Sequence, residues 1–153
     1  MNEKKSRSIE EYLHTTGHLT YRNVGVSMLP LLRQGRDLFT LEAYRGSGLM
    51  VNDVILFKRS DGKYVLHRLI RILPDGTYET MGDNCVTSEK GIREENILGV
   101  MTSFDRKGKT IRVDNRWYLL YVKVWRFLTP VRVRRKRIRN RVVRIIRKFV
   151  PRR

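Results

Sequence analysis

The sequence predicts a mainly β protein: an antiparallel β-barrel or folded sheet, with a short helix ahead of it and basic amphipathic helices behind. Three observations carry this. Between Leu19 and Val113, short apolar runs alternate with glycine-containing turn signals. Beyond Asp114 the apolar spacing changes to three and four residues, the period of a helix. Positive charge is concentrated at the C-terminal end. Of the formal net charge of +18 on 153 residues, residues 131–153 account for twelve basic side chains with no acid among them.

Residues 1–7 read as a polar lead. Ser8-Ile9-Glu10-Glu11 has capping-box spacing and Gly17 can close the helix that follows, which places a short helix within residues 1–18. His14 and His18 lie four apart, but Gly17 falls between them and no third ligand is evident, so neither a metal site nor a cofactor is expected. The β reading covers Leu19–Val26, Asp37–Tyr44, Asp53–Arg59, Lys63–Leu73, Thr77–Met81, Ile97–Phe104 and Thr110–Val113. Asp61-Gly62 and Asp75-Gly76 are hairpin tips. Strands this short, joined by tight turns, favour an antiparallel arrangement. Residues 19–113 thus form a β-rich core and 114–153 a helical basic tail. In the tail, Trp117, Leu120, Tyr121, Val124, Trp125 and Leu128 make one apolar stripe, which Thr129-Pro130 is expected to break. Ile138, Val142, Ile145, Ile146 and Phe149 make a second, and Pro151 ends it.

A hydrophobic content of 41% is enough for a core. The single cysteine, Cys85, excludes an internal disulfide and fits a reducing compartment. The N-terminus lacks the apolar core of a signal peptide. No run approaches the ~20 apolar residues of a membrane span. Trp117–Leu128 is too short and is interrupted by Lys123 and Arg126. The expectation is a cytoplasmic or peripherally membrane-associated protein.

Three stretches stand out for their chemistry: Gly25-Val26-Ser27-Met28-Leu29-Pro30, His67-Arg68 within an apolar strand, and Gly82-Asp83-Asn84. Taken singly, Ser27 is a turn serine, His67 a strand residue and Asp83 a turn aspartate. Together they hold a hydroxyl, an imidazole and a carboxylate. A serine hydroxyl is almost wholly protonated near neutral pH and needs a base within hydrogen-bond reach. A histidine can take that proton and return it to a leaving amine. A carboxylate on the other ring nitrogen fixes the tautomer.

In this order the stretches resemble the type I signal peptidase superfamily, the signal peptidase and LexA-like serine peptidases, and within it the endoplasmic-reticulum and archaeal branch. Gly25 to Pro30 matches the nucleophile stretch, with Ser27 as nucleophile. Gly35-Arg36-Asp37 is a stretched form of the next Gly-Asp pair. Asn52-Asp53-Val54-Ile55 carries Asn where the family has Gly at a position of positive φ. The base precedes an arginine; the branch has histidine there, as in His67-Arg68, where bacterial relatives have lysine. The resemblance spans residues 20–104 and implies a serine endopeptidase that cuts a leader or signal segment from a peptide or preprotein, after small side chains. Two acids compete to orient His67. Asp83 matches Gly-Asp-Asn, and Glu89 stands where the family has a second acid. The implied oxyanion donor is the Ser27 N–H, since Gly25 supplies no hydroxyl. Met28, Leu29 and Leu32 either line the substrate groove or pack in the core, and Cys85 reads as a bystander.

The tail needs a polyanionic partner. It can lie on an anionic membrane surface through 131–153, or bind nucleic acid. The Trp117–Leu128 stripe either joins that interface or packs on the β core. The competing functions are a nucleic-acid-associated relative of the self-cleaving LexA type and a non-catalytic peptide-binding relative. The former calls for a lysine base and a recognition helix ahead of the core, and residues 1–18 have room for one short helix.

Overall fold

A computed structural model describes residues 8–149, with side chains through Ile146. The polar lead 1–7, the Phe149 side chain and Pro151 lie outside the described residues. Ser8 caps α1 (Ile9–Thr16), its hydroxyl accepting the Glu11 N–H at 3.1 Å, and Gly17 ends it at φ 75°. Buried Leu13 pins this helix to the sheet.

Eight strands follow: β1 (His18–Arg22), β2 (Leu38–Ala43), β3 (Val54–Lys58), β4 (Tyr64–Ile72), β5 (Tyr78–Met81), β6 (Glu89–Ile92), β7 (Ile97–Arg106) and β8 (Lys109–Arg112). Every pairing is antiparallel, in the order β1-β2-β7-β3-β4-β5-β6. Strand β7 carries β2 along one edge, while β3 and β8 divide its other edge. The Asp61-Gly62 and Asp75-Gly76 tips form as expected. In each, the aspartate carboxylate accepts the N–H two residues on.

Barrel closure requires the first and last strands to pair, and β1 and β6 do not. The sheet is open, so the barrel half of the expectation is corrected. Gly91, at φ 75°, turns the backbone out of extended geometry within β6, where the pairing with β5 shifts register between Thr80↔Glu89 and Tyr78↔Ile92. Strand β6 was not anticipated, because Glu-Lys-Gly-Ile has no apolar alternation.

Successive strand residues point to opposite faces, and β3 is buried on both. Val54 and Leu56 join a core with Leu13, Met28, Leu32 and Tyr118. Ile55 and Phe57 join a second core with Leu69, Tyr78, Ile92 and Ile97. That is why β3 reads as an unbroken apolar run.

Asn115 caps α2 (Arg116–Phe127) through the Trp117 N–H at 2.8 Å, and α3 spans Thr129–Phe149. The expected stripe on α2 is divided. Tyr118 and Val122 are buried and Tyr121 and Trp125 half-buried, while Trp117, Leu120, Val124 and Leu128 are exposed. The expected break at Thr129-Pro130 appears one residue earlier: α2 ends at Phe127, α3 begins at Thr129 and Leu128 lies between them. Leu128 N–H bonds Val124 and Arg132 N–H bonds Leu128, each at 3.0 Å, so helical bonding continues on both sides. Pro130 sits in the first turn of α3, where a missing N–H costs little. The residues turned toward the core (118, 121, 122, 125, 129, 132, 133 and 136) keep one helical phase across the junction.

Asn52 has φ 90°, the conformation expected where the motif places glycine, and its buried side-chain oxygen has no hydrogen-bond partner among the described residues. Asn52→Gly is therefore expected to stay within about 1 kcal/mol of the parent, and Asn52→Val to cost about 1–3 kcal/mol by urea denaturation.

Candidate active site

The Ser27 turn hangs from a buried frame. Asn23, just past β1, donates its N–H to the Asp37 carbonyl at 3.0 Å and its side-chain amide to Gly25 and Leu32 carbonyls. The fully buried Asp37 carboxylate accepts the Arg33 N–H at 2.9 Å and pairs with Arg36. Burial pushes the Asp37 carboxyl up, but the bonds from Arg36 and Arg33 outweigh it and hold the pKa below the usual carboxylate range. Between these anchors the chain turns through Gly25, at φ 89°. Met28 and Leu32 point into the core, so of the three groove candidates only half-buried Leu29 borders a groove.

The Gly82-Asp83-Asn84 turn, leaving β5, clamps the Ser27 turn from the side. Asn84 donates its backbone N–H to the Ser27 carbonyl at 2.7 Å and its side-chain amide to the Val26 carbonyl at 3.0 Å. Gly82 lies at the point of closest approach. A Cβ there would sit 2.7 Å from the Ser27 carbonyl oxygen, 2.8 Å from Cys85 Sγ and 3.0 Å from His67 Cδ2. The Ser27 backbone and the His67 ring edge thus meet across a gap that only glycine leaves open. No hydrogen bond joins the Ser27 hydroxyl to His67 among the described residues.

His67 and Arg68 are neighbours on β4 and point to opposite faces. His67 pairs in register with Ile55 and meets Phe57 edge-on, on the second core's side. Arg68 pairs with Val54 and lies over Tyr118, on the first core's side. This separates the two candidate acids. Asp83 receives both arms of Arg68, each at 2.8 Å, and the Tyr121 hydroxyl at 3.1 Å. Glu89, on β6, is the acid beside His67: its Oε1 is 3.3 Å from Nδ1.

That contact is an ion-pair distance without hydrogen-bond alignment, and the buried Nδ1 has no hydrogen-bond partner among the described residues. Arg59 holds Glu89 through two bonds, Nε to Oε2 at 2.6 Å and Nη2 to Oε1. Burial lowers the His67 pKa, Glu89 raises it, and Arg59 lowers it again; the net direction is down. The imidazole is therefore neutral at pH 7 and able to accept a proton. Burial also raises the Cys85 thiol, which keeps it protonated and unreactive.

The tail closes over this turn. Trp125 Nε1 and Arg132 Nη1 both donate to the Asp83 carbonyl, at 3.2 and 2.8 Å, and the Arg132 guanidinium stacks on the Trp125 ring at 3.5 Å. Lys136 bonds the Asn84 backbone and side-chain carbonyls, and Arg137 the Val86 carbonyl. Between α3 and the Ser27 turn runs a groove of about 290 Å³, bordered by Leu29, Pro30, Asn84, Trp125, Arg132 and Lys136.

Ser27, His67 and Glu89 are thus gathered on one side of the Gly82 turn, and Asp83 anchors the other. Sequence reasoning missed Arg59, Tyr121, Arg132 and Lys136. They act across long stretches of chain, and no local motif marks them. The chain matches no family model, no curated protein and no solved structure.

Gly82→Ala is expected to force the Ser27 backbone away and cost about 1–3 kcal/mol as overpacking. Asp83→Asn, which leaves the Arg68 charge buried and unpaired, is expected to cost about 3–5 kcal/mol. Urea denaturation monitored by circular dichroism measures both.

Proposed function

We propose that this chain is a serine endopeptidase of the signal-peptidase type that cuts a leader or signal segment from a peptide or preprotein substrate. One observation supports the reading above the others. A neutral, buried histidine has a carboxylate beside one ring nitrogen, while its opposite ring edge abuts the turn that carries Ser27.

In this mechanism Ser27 Oγ attacks the scissile carbonyl while His67 Nε2 takes the hydroxyl proton. Glu89, 3.3 Å from Nδ1, aligns on that nitrogen as the imidazolium forms and stabilises its charge. The Ser27 N–H donates to the developing oxyanion; Gly25 contributes no side-chain donor. Collapse breaks the C–N bond, and His67 returns its proton to the leaving amine. Water then enters and attacks the acyl carbonyl while giving a proton to His67, which returns it to Ser27 Oγ as the acyl–oxygen bond breaks and the carboxylic acid leaves. A nucleophile–base hydrogen bond commonly tightens only when substrate fills the site, which accommodates the open Ser27–His67 contact. The orienting role goes to Glu89, since Asp83 is committed to Arg68 on the other face of the sheet. The groove beside Leu29 and Pro30 is the place for the peptide.

Ser27→Ala should abolish cleavage of a leader peptide, a fall of at least about a thousandfold in kcat, while keeping the parent denaturation midpoint. Undiminished cleavage by this variant would sink the reading. The pH dependence has a definite sign. With His67 held below the ordinary ~6.5, the acid limb of kcat/KM should lie below that pH. Glu89→Gln removes a group that raises the His67 pKa, so the limb should move to lower pH as kcat falls about a hundredfold or more. Arg59→Gln removes a group that lowers it, so the limb should move the other way.

A further inference from the structure

Because the core-facing side of α2 and α3 keeps one phase, the outward side does too. Trp117, Val124, Val131, Ile138 and Ile145 recur at every seventh position and all are exposed. Leu120, Phe127, Leu128, Val142 and Ile146 fill in the same side, within an arc of about 100°. Phe127 is 81% exposed and Trp117 66%, among the least covered large apolar side chains of the fold. The seam follows the helix path for roughly 45 Å at 1.5 Å per residue. It is a different surface from the stripe that docks on the core, and it keeps its phase across the junction of α2 and α3 at Leu128.

Arg134 and Arg141 border one edge of the seam and Arg139 the other, Arg135 falls within it, and Arg144 lies on the far side of the helix. All are exposed, and none forms a salt bridge among the described residues. The basic residues of the same helix that do bond the core are others, Arg132, Lys136 and Arg137. So the cationic charge on the outward side is uncommitted. Among the described residues no helix is long and apolar enough to cross a membrane.

We propose that the outward seam of α2 and α3 docks in the plane of an anionic lipid bilayer, its apolar side chains entering the headgroup–acyl boundary and its arginines bonding lipid phosphates. Charge decides the occupant. A second copy seated seam to seam would bring Arg134, Arg135 and Arg141 against their own counterparts, with no acid on either helix to offset them. A nucleic acid would use the arginines and leave Trp117, Leu120 and Phe127 with nothing to contact, since phosphate binding does not require an apolar stripe. An anionic bilayer satisfies both parts of the surface: aromatic and aliphatic side chains settle at headgroup depth while long arginine stems reach up to the phosphates. This proposal stands independently of the peptidase reading.

The test uses the full chain and sedimentation with phosphatidylcholine vesicles, either pure or containing about 30 mol% phosphatidylserine. Binding should require the anionic lipid and weaken as salt is raised. Leu120→Gln, Phe127→Gln and Ile138→Gln together should lower affinity at least about tenfold, because they remove exposed apolar surface along the seam. A second measurement does not depend on that variant folding. Brominated lipid should quench tryptophan emission of the parent chain, and Trp117→Phe should remove most of that quenching, since Trp125 is bonded to Asp83. Unchanged vesicle binding by the folded triple variant overturns the proposal, as does a parent chain whose Trp117 is not quenched. Seam-dependent dimerisation without lipid, or RNA binding that replaces vesicle binding, overturns it as well.

Discussion

The Arg68–Asp83 ion pair is the contact on which the rest of the site depends. Arg68 is 1% exposed and Asp83 4%, so neither charge is solvated by bulk water. Two charges in such a place are tolerated only if their hydrogen-bonding capacity is nearly used up. Here it is. The guanidinium bonds both Asp83 oxygens, the Asn52 carbonyl and the Tyr118 hydroxyl, and Asp83 also accepts from Tyr121. Burial and the Asp83 charge push the Tyr121 pKa up, so that hydroxyl remains a donor. A buried pair contributes little net stability against an apolar replacement. Its effect is geometric: four separate pieces of chain, the turn before β3, strand β4, the turn after β5 and helix α2, have one mutual arrangement that satisfies it.

That arrangement sets the position of everything next to it. With Asp83 fixed, Asn84 is placed to hold the Ser27 and Val26 carbonyls, and Gly82 is pressed between the Ser27 turn and His67. The strand period does the rest. Adjacent residues on β4 face opposite sides, so one strand supplies the anchor to one core and the imidazole to the other. The two acids are sorted by the same rule, and a second strand is needed to bring Glu89 to His67. That explains the short, glycine-containing β6, whose own contribution to sheet pairing is slight.

Much of the fold was legible because it is written locally. Ser8, Gly17, Asp61-Gly62, Asp75-Gly76 and Asn115 each bias the backbone within a few residues of themselves, and each does so here. The positive φ at Asn52 could be read for the same reason. What could not be read was non-local. Strand β6 has no pattern of its own and exists by pairing with β5. Whether Asp83 or Glu89 meets His67 depends on which sheet face each reaches, and motif order does not encode that. Pro130 marks the helix boundary, but that α3 keeps the phase of α2 across it is a matter of packing that no local signal carries. The stripe on α2 was misassigned because both the core-facing and the outward sides are apolar, and composition alone cannot divide them.

The tail is therefore not an appendage to a finished core. Arg132 and Lys136 satisfy the carbonyls of Asp83 and Asn84, which are backbone acceptors left free by a turn that makes no ladder there. One side of the helix thus completes the walls of the groove beside Leu29 and Pro30, and another side carries the exposed seam. An α-helix with its side chains is about 10 Å across. On the proposed docking, the groove lies about one helix diameter from the lipid headgroups. A substrate segment emerging from the bilayer surface would then meet the Ser27 turn within a few residues of leaving the lipid. The two proposals make different demands on the same helix: the inward side has to be rigid, bonded and desolvated, and the outward side apolar and uncommitted. The observed division of arginines, Arg132 and Arg137 spent on carbonyls and Arg134, Arg139 and Arg141 at the borders of the seam, meets both demands.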